Sequence, residues 1–341
     1  MNTKYRVDRR KALGVLGGAV TLVAVPGARA FAQSLDKVSY QTNWRAQAEH
    51  GGFYLARENG IYKKHGIDAD IRMGGPQQNP SQLLLGGRVD MIMSNSFEGI
   101  NYAKEGLPFL VIAAIFQKDP QVIISHPNVG HDKFEDLKGA PILIGAGGRT
   151  SYWPFLKARF GFTDEQARPY TFNMAPFLAD KNLIQQGFLS SEPYPITQAL
   201  GRPPSVLLIA DAGYTPYQAT IAISRKMVEQ KKDLVQRFVD ATLEGWAQYL
   251  KGGPAIEAAN ALIKQNNPDQ TDDRLAYAIK VLNERGIAMS GDALKGGIGA
   301  MSAERWQSFY DSMVAVGVLP PGLDVARTHT LEFVNKGIGK S

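Results

Sequence analysis

Along residues 38–125 the apolar positions switch repeatedly between a period of two and a period near 3.6, and the switches predict a regular succession of strands and helices. A β-rich run at 38–42 precedes a helix that begins at Glu49 or His50, runs to Asn59 and is stopped by Gly60. Residues 67–71 alternate apolar and acidic positions, as a half-buried strand does. Asn79-Pro80 opens a helix to about Leu85, residues 89–93 read as a strand, and Ser94-Asn95-Ser96 caps a helix to about Glu105. The nearly unbroken apolar run 109–116 has the pattern of a strand in a parallel sheet covered on both faces. Gln117-Lys118-Asp119-Pro120 interrupts it, and a second apolar run at 121–125 follows at once, as suits a chain leaving one lobe and entering another.

The second stretch continues the alternation: a strand at 141–144, a helix from about 152 to 160, a strand at 169–172, a helix over 176–186, a short strand at 187–189 and a strand at 206–210. Residues 217–224 suit a strand returning to the first lobe. A long amphipathic helix over 232–249 follows, with further helices near 254–264, 272–285 and 303–316. The expected architecture is α/β with two lobes. One comprises residues 33–118 plus 221–341, carrying the C-terminal helices; the other comprises 119–220, and a cleft between them is a preferred place for a small ligand.

Composition changes this picture only at the N-terminus. Net charge is +6, but six basic side chains and one acid among the first 33 residues account for +5, so the rest is near neutral. No basic-aromatic stripe follows, and nucleic acid is not an expected partner. Arg9-Arg10-Lys11 precedes the apolar run 12–25, and Ala28-Arg29-Ala30 and Ala30-Phe31-Ala32 offer small-x-small cleavage sites. Residues 1–32 therefore read as an export signal, twin-arginine-like, although Asp8 and Ala12 depart from that pattern and leave the Sec route open. With no cysteine in the chain there is no disulfide, thiolate nucleophile or lipidation site, and a periplasmic, untethered monomer is expected.

In open α/β sheets ligands lie beyond the carboxyl ends of the strands, which directs attention to Asn43, Trp44 and His50 after the first strand. Trp44 either stacks on a planar ligand or packs under that strand. Asn43 pairs with a heterocycle edge or shapes the turn, and His50 contacts ligand or caps backbone amides. Ser94 and Asn95 form a helix start that binds acceptor atoms or serves as a plain cap. Gln117, at the interlobe break, joins the set. On the second lobe, the glycine-rich segment 145–151 carries Arg149, either an anion partner or a solvated cation; it lacks the Gly-Lys-Ser/Thr ending of a P-loop. Glu192, before Pro193-Tyr194, either accepts hydrogen bonds from an amino-substituted ring or is a surface acid, and Phe188, Tyr194 and Phe97 are pocket walls or core.

The run Trp44…His50-Gly51-Gly52-Phe53-Tyr54…Ala56…Gly60-Ile61-Tyr62…Gly66-Ile67 resembles the opening of periplasmic solute-binding proteins of the thiamine-pyrimidine-precursor type, within the alkanesulfonate, taurine and nitrate receptors of ABC importers. The resemblance recurs at Gly86…Val89-Asp90, Phe116-Gln117…Pro120, Asp136-Leu137-Lys138-Gly139 and Ala175-Pro176-Phe177…Gly187…Glu192-Pro193-Tyr194. It implies a type II periplasmic-binding-protein fold with two strands crossing between lobes, and a function of closing on one small molecule and delivering it to an ABC permease in the inner membrane. Trp44 with Glu192 favours a small planar nitrogen heterocycle; Arg149 with the two helix starts favours an anion such as an alkanesulfonate, taurine, nitrate or aromatic carboxylate. An enzyme is not expected. No Gly-x-Ser-x-Gly or His-Glu-x-x-His motif is present, no cofactor or metal is called for, and the pyrimidine-making relatives depend on a cysteine-rich segment that a cysteine-free chain lacks.

Overall fold

A computed structural model of the chain describes residues 34–75, 78–171 and 173–340, so the expected export segment lies outside the described residues. Among the described residues, ten strands form two five-stranded sheets. The first four, β1 (Asp36–Gln41), β2 (Ile67–Arg72), β3 (Met91–Ser94) and β4 (Phe109–Phe116), run in one direction and belong to the first sheet. The second sheet takes β5 (Gln121–Ser125), β6 (Ile142–Ile144), β7 (Ala167–Pro169), β8 (Ile184–Phe188) and β9 (Ser205–Leu208). The chain then returns to the first sheet as β10 (Gln218–Ser224). The orders are β2-β1-β3-β10-β4 and β7-β6-β8-β5-β9, and each sheet holds one antiparallel strand, β10 in the first and β5 in the second.

This topology aims the two sheets at each other. Four residues separate the carboxyl end of β4 from the start of β5, and β5 begins beside the carboxyl end of its antiparallel neighbour β8, Gln121 pairing Phe188. The carboxyl ends of β1, β3 and β4 therefore meet those of β6 and β8 across two crossovers, residues 117–120 and 209–217. Lys118 and Asp211 join the crossovers by an ion pair at 3.1 Å. From Leu35 onward the described residues pack as one compact unit.

The opening helix is held by close approach. Gly51–Glu58 packs on the long helix Lys232–Lys251, and a Cβ at Gly51 would lie 2.0 Å from the Tyr249 ring, one at Gly52 2.2 Å from Trp246. Trp246 in turn stands edge-on to Phe53 and Phe116, and Tyr40 stacks on Phe53 at 4.4 Å. The two glycines let a helix start sit against a wall of aromatic rings, which fixes the two residues just before it, Glu49 and His50.

Three elements differ from the sequence expectation. Residues 109–116 are buried at every position, but the paired neighbour of β4 is antiparallel β10, and its outer edge is closed by backbone bonds to Gly299, Thr328 and Thr330. The helix expected over 176–186 covers only Ala175–Ala179, because residues 184–186 pair with β5 and β6 and become part of β8. The strand expected at 169–172 sits earlier, as β7.

Candidate ligand-binding site

Two rims meet at the crossovers. The first is the loop after β1. Thr42 Oγ1 donates to the Trp44 carbonyl at 2.9 Å, and the Gly74 N–H is shared between that carbonyl and Thr42 Oγ1 at 3.0 Å each. The loop is thus tied to the carboxyl end of β2, with Trp44 partly buried and Asn43 exposed. Asn43 Oδ1 lies 3.4 Å from His50 Nε2. His50 ends the 3₁₀ turn Ala48–His50 and makes no side-chain cap to the helix that follows. It is 1% exposed, and Nδ1 finds no partner of hydrogen-bonding geometry. Burial pulls its pKa down to about 3 against the opposing influence of the Arg45 backbone, so the ring is neutral.

The second rim is the turn after β8. The Phe188 N–H donates to Glu192 Oε2 at 2.7 Å. A Cβ at Gly187 would lie 3.2 Å from that same oxygen, so the glycine gives the carboxyl room to lie over the end of β8. Glu192 precedes helix Pro193–Leu200, and Tyr194 packs its ring 5.2 Å from that of Tyr277. Tyr277, on helix Asp272–Glu284, also donates its hydroxyl to the Leu189 carbonyl at 3.3 Å, which binds this turn to the C-terminal helices.

A hydrogen bond joins the rims directly: the Ser190 hydroxyl donates to Glu49 Oε1. Glu49 is 3% exposed. Burial raises its pKa, with Ser190 and the charge of Arg274 opposing. Glu192 is raised to about 7, first by burial and further by the charge of Glu49, against the Phe188 N–H and Arg274. The centre of the interface therefore carries two acidic groups, one from each rim, in a poorly solvated setting that favours their protonated forms.

Four other sequence candidates lie in internal bonds. Asn95 caps helix Ser96–Lys104 by accepting the Glu98 N–H at 3.0 Å. Ser94 donates to Glu98 Oε2 at 2.7 Å and lies 3.2 Å from the Tyr102 hydroxyl. Gln117 donates to the Ala114 and Ala300 carbonyls and takes Arg305 on its side-chain oxygen, bracing the first crossover. A cavity of about 320 Å³ lies beside this brace, lined by Asp119, Ala210, Thr215, Ser290 and Arg305 among others, and neither Glu49 nor Glu192 is in its lining. Arg149 donates to the Ala167 carbonyl at 2.9 Å, at the amino end of β7 and so at the end of the sheet opposite the rim. The Gly145 N–H donates to Gln186 Oε1 at 2.7 Å, and the Tyr152 hydroxyl donates to that oxygen at 3.0 Å.

The structure gathers Asn43, Trp44 and His50 on one rim and Phe188, Glu192 and Tyr194 on the other. Sequence reasoning missed Glu49 and Ser190, which connect them. A signal for Glu49 was present: an acid set among Ala46, Ala48, Gly51 and Gly52, where a helix start reads as buried. Among the described residues no three His, Cys, Asp or Glu side chains gather in a way that would hold a metal ion, and no helix is long and apolar enough to cross a membrane.

Comparison with known proteins adds the lineage. The family model described as NMT1/THI5 like matches residues 47–254. A riboflavin-binding protein, RibY, of Chloroflexus aurantiacus is 24% identical over 94% of this chain and 91% of its own length. A formylaminopyrimidine-binding protein of Halalkalibacterium halodurans is 24% identical over 81% and 84%. A 4-amino-5-hydroxymethyl-2-methylpyrimidine phosphate synthase of Schizosaccharomyces pombe matches at 26% identity over only 32% of each chain. Among solved structures, the periplasmic aliphatic sulphonate binding protein SsuA of Escherichia coli superposes with a TM-score of 0.61, 16% identity, and coverage of 86% of this chain and 92% of that one. A Candida albicans protein described as having the generic periplasmic binding protein fold gives 0.60 at 15% identity, covering 87% and 96%. The fold is the periplasmic-binding-protein fold, in its two-crossover form.

Proposed function

The chain belongs to the NMT1/THI5-like family, and from that membership we propose that it is the substrate-binding component of an ABC importer, which closes on a small planar nitrogen heterocycle and delivers it to a permease. The observation that carries this reading is the pair of acids, Glu49 and Glu192, on facing rims that the Ser190–Glu49 hydrogen bond joins. Carboxyl groups accept hydrogen bonds from ring amino groups and repel anions. An indole supplies a stacking face for a flat ring. In this reading Asn43 and His50 would add polar atoms to the Trp44 side of the ligand, and Phe188 and Tyr194 would flank the other.

The relatives matched along most of their length are named as binders of a pyrimidine and a flavin, both planar nitrogen heterocycles. The synthases match only a third of the chain, and with no cysteine the chain has no thiolate chemistry to offer, which supports a binder over an enzyme. The anion reading has less support: Arg149 is held by the Ala167 carbonyl and the Gly145 N–H by Gln186. The basic, apolar N-terminal segment supports export to the periplasm, where the protein would work as a monomer.

A thermal-shift screen tests the assignment, because a ligand that binds the folded state raises the melting temperature by mass action. Formylaminopyrimidine and 4-amino-5-hydroxymethyl-2-methylpyrimidine are expected to stabilise the protein, and an alkanesulfonate or nitrate to leave it unchanged. Stabilisation by the sulfonate alone would overturn the reading.

A further inference from the structure

Helix Asp272–Glu284 has two faces with different partners. Leu275, Ala278, Ile279 and Leu282 are buried in the larger apolar cluster, which also holds Trp246 and Tyr249 of the long helix. Asn283 donates Nδ2 to the Leu250 carbonyl at 2.8 Å. Just beyond the helix, the Ile287 carbonyl accepts the Gln117 N–H at 2.7 Å and the Lys118 N–H at 3.1 Å. The helix is thereby fixed to the first sheet's side and to the first crossover. Tyr277 and Val281, one turn apart, lie on its other face. Val281 packs against the smaller apolar cluster, which holds Val122 and Ile124 of β5 and Leu143 of β6. Tyr277 donates its hydroxyl to the Leu189 carbonyl at 3.3 Å and sets its ring 5.2 Å from that of Tyr194. An element anchored on the first sheet's side therefore grips the turn that carries Glu192.

We propose that Tyr277 is a positioning residue for ligand binding: it latches the turn 189–194 against the first sheet's side and so sets how slowly a bound ligand leaves. This rests on the reading of the cleft as a ligand site and adds to it the residue that governs release. A hinge motion that opens such a cleft turns one sheet away from the other about the crossovers. The helix cannot follow the second sheet, because its buried face and the bonds at Ile287 hold it to the first. Opening then has to break the bond to Leu189, part the two tyrosine rings and expose the apolar contact of Val281. That cost falls on release and not on capture, since capture starts from a cleft in which these contacts are already broken. The latch has separable parts: the hydroxyl makes a hydrogen bond and the ring an aromatic pair. Glu49 takes the Ser190 hydroxyl of the same turn, so loss of Tyr277 speeds release without abolishing closure.

Stopped-flow mixing of the full chain with 4-amino-5-hydroxymethyl-2-methylpyrimidine, followed by tryptophan fluorescence, separates capture from release. Tyr277→Ala is expected to raise the dissociation rate about tenfold and to leave the association rate within about twofold. Tyr277→Phe keeps the ring and loses the bond to Leu189, and is expected to dissociate about threefold faster than wild type. An unchanged dissociation rate in Tyr277→Ala would overturn the latch, as would a slower association that accounts for the whole loss of affinity. Should Tyr277→Ala not fold, Tyr277→Phe decides, and release as slow as that of wild type overturns the latch. Failure of the heterocycle reading looks different: neither this pyrimidine nor formylaminopyrimidine binds the wild type. Small-angle X-ray scattering of the ligand-free proteins then decides for the latch. Tyr277→Ala is expected to have the larger radius of gyration, and equal radii would overturn the proposal.

Discussion

Two places beyond the carboxyl ends of the strands, the glycine-rich turn after β6 and the region of Glu49 and Glu192, differ in what their polar groups are left to do. At the glycine-rich start of helix Ala146–Thr150 the polar groups are bound within their own lobe. Gln186 takes the Gly145 N–H, the Ala167 carbonyl takes Arg149, and the Gly147 carbonyl takes the Ser151 hydroxyl at 2.7 Å. Around Glu49 and Glu192, by contrast, burial pushes the acids toward protonation. The segment that looks most like an anion site in the sequence is the one whose hydrogen bonds are already made. Unmet capacity, rather than residue type, marks where a ligand contributes most.

Several measurements can break or sharpen that contrast. The largest expected effect is that of Glu192→Gln, which replaces a charged acceptor by a neutral amide beside the ligand. Hydrogen bonds to charged groups contribute about 1.5–3 kcal/mol, so affinity for an aminopyrimidine, measured by calorimetry, should fall roughly tenfold to a hundredfold. An unchanged affinity would remove Glu192 from the site. Trp44→Ala should cost about tenfold through lost stacking and area, read from the same titrations; a variant that instead melts far lower with affinity intact would make Trp44 a packing residue.

A smaller effect appears in the pH dependence of the ligand-free protein. Glu192 keeps its proton to about pH 7 in the folded state, against an ordinary value of 4.5. The native state thus binds more protons than the unfolded chain between those values, and its contribution to stability is lost as pH rises through about 7. Asp119, raised by burial from 3.8 to about 7, acts in the same direction. Melting temperature should therefore fall from pH 4.5 to 7.5, with a shallower fall in Glu192→Gln; parallel curves for the two proteins would contradict the assignment. The smallest effect is expected at the satisfied glycine-rich turn: Arg149→Ala should leave affinity for pyrimidine and for sulfonate within about twofold. A large loss of sulfonate binding in that variant would reverse the comparison between the two places.

Much of the framework was legible from local pattern. The runs 109–116 and 121–125 appear as β4 and β5 with the bounds their apolar content suggests, and helix Pro80–Leu85 starts at the proline that follows its cap. These succeed because burial and capping act over neighbouring residues. The reading failed at residues 184–186, where a strand replaces an expected helix because two distant partners, β5 and β6, supply hydrogen bonds that the local pattern does not record. Of the candidates read from motif and position, Trp44 and His50 lie on one rim and Glu192 on the other. Arg149 and Ser94 were equally prominent in sequence, and the structure binds both in internal contacts.

What the sequence determined by itself is the succession of elements and the pair of turns from which a site is built, since periodicity, caps and glycines are local properties. It could not say which polar groups remain unmet, because that depends on atoms far apart in the chain. Glu49 and Ser190 are 141 residues apart, and only the packing of the two sheets around their crossovers brings that hydroxyl to that carboxyl. Gln186 likewise takes the Gly145 N–H 41 residues away and closes the other candidate. Chain pattern pointed to several turns at strand ends; tertiary packing closed the glycine-rich one with internal bonds and brought Ser190 to Glu49.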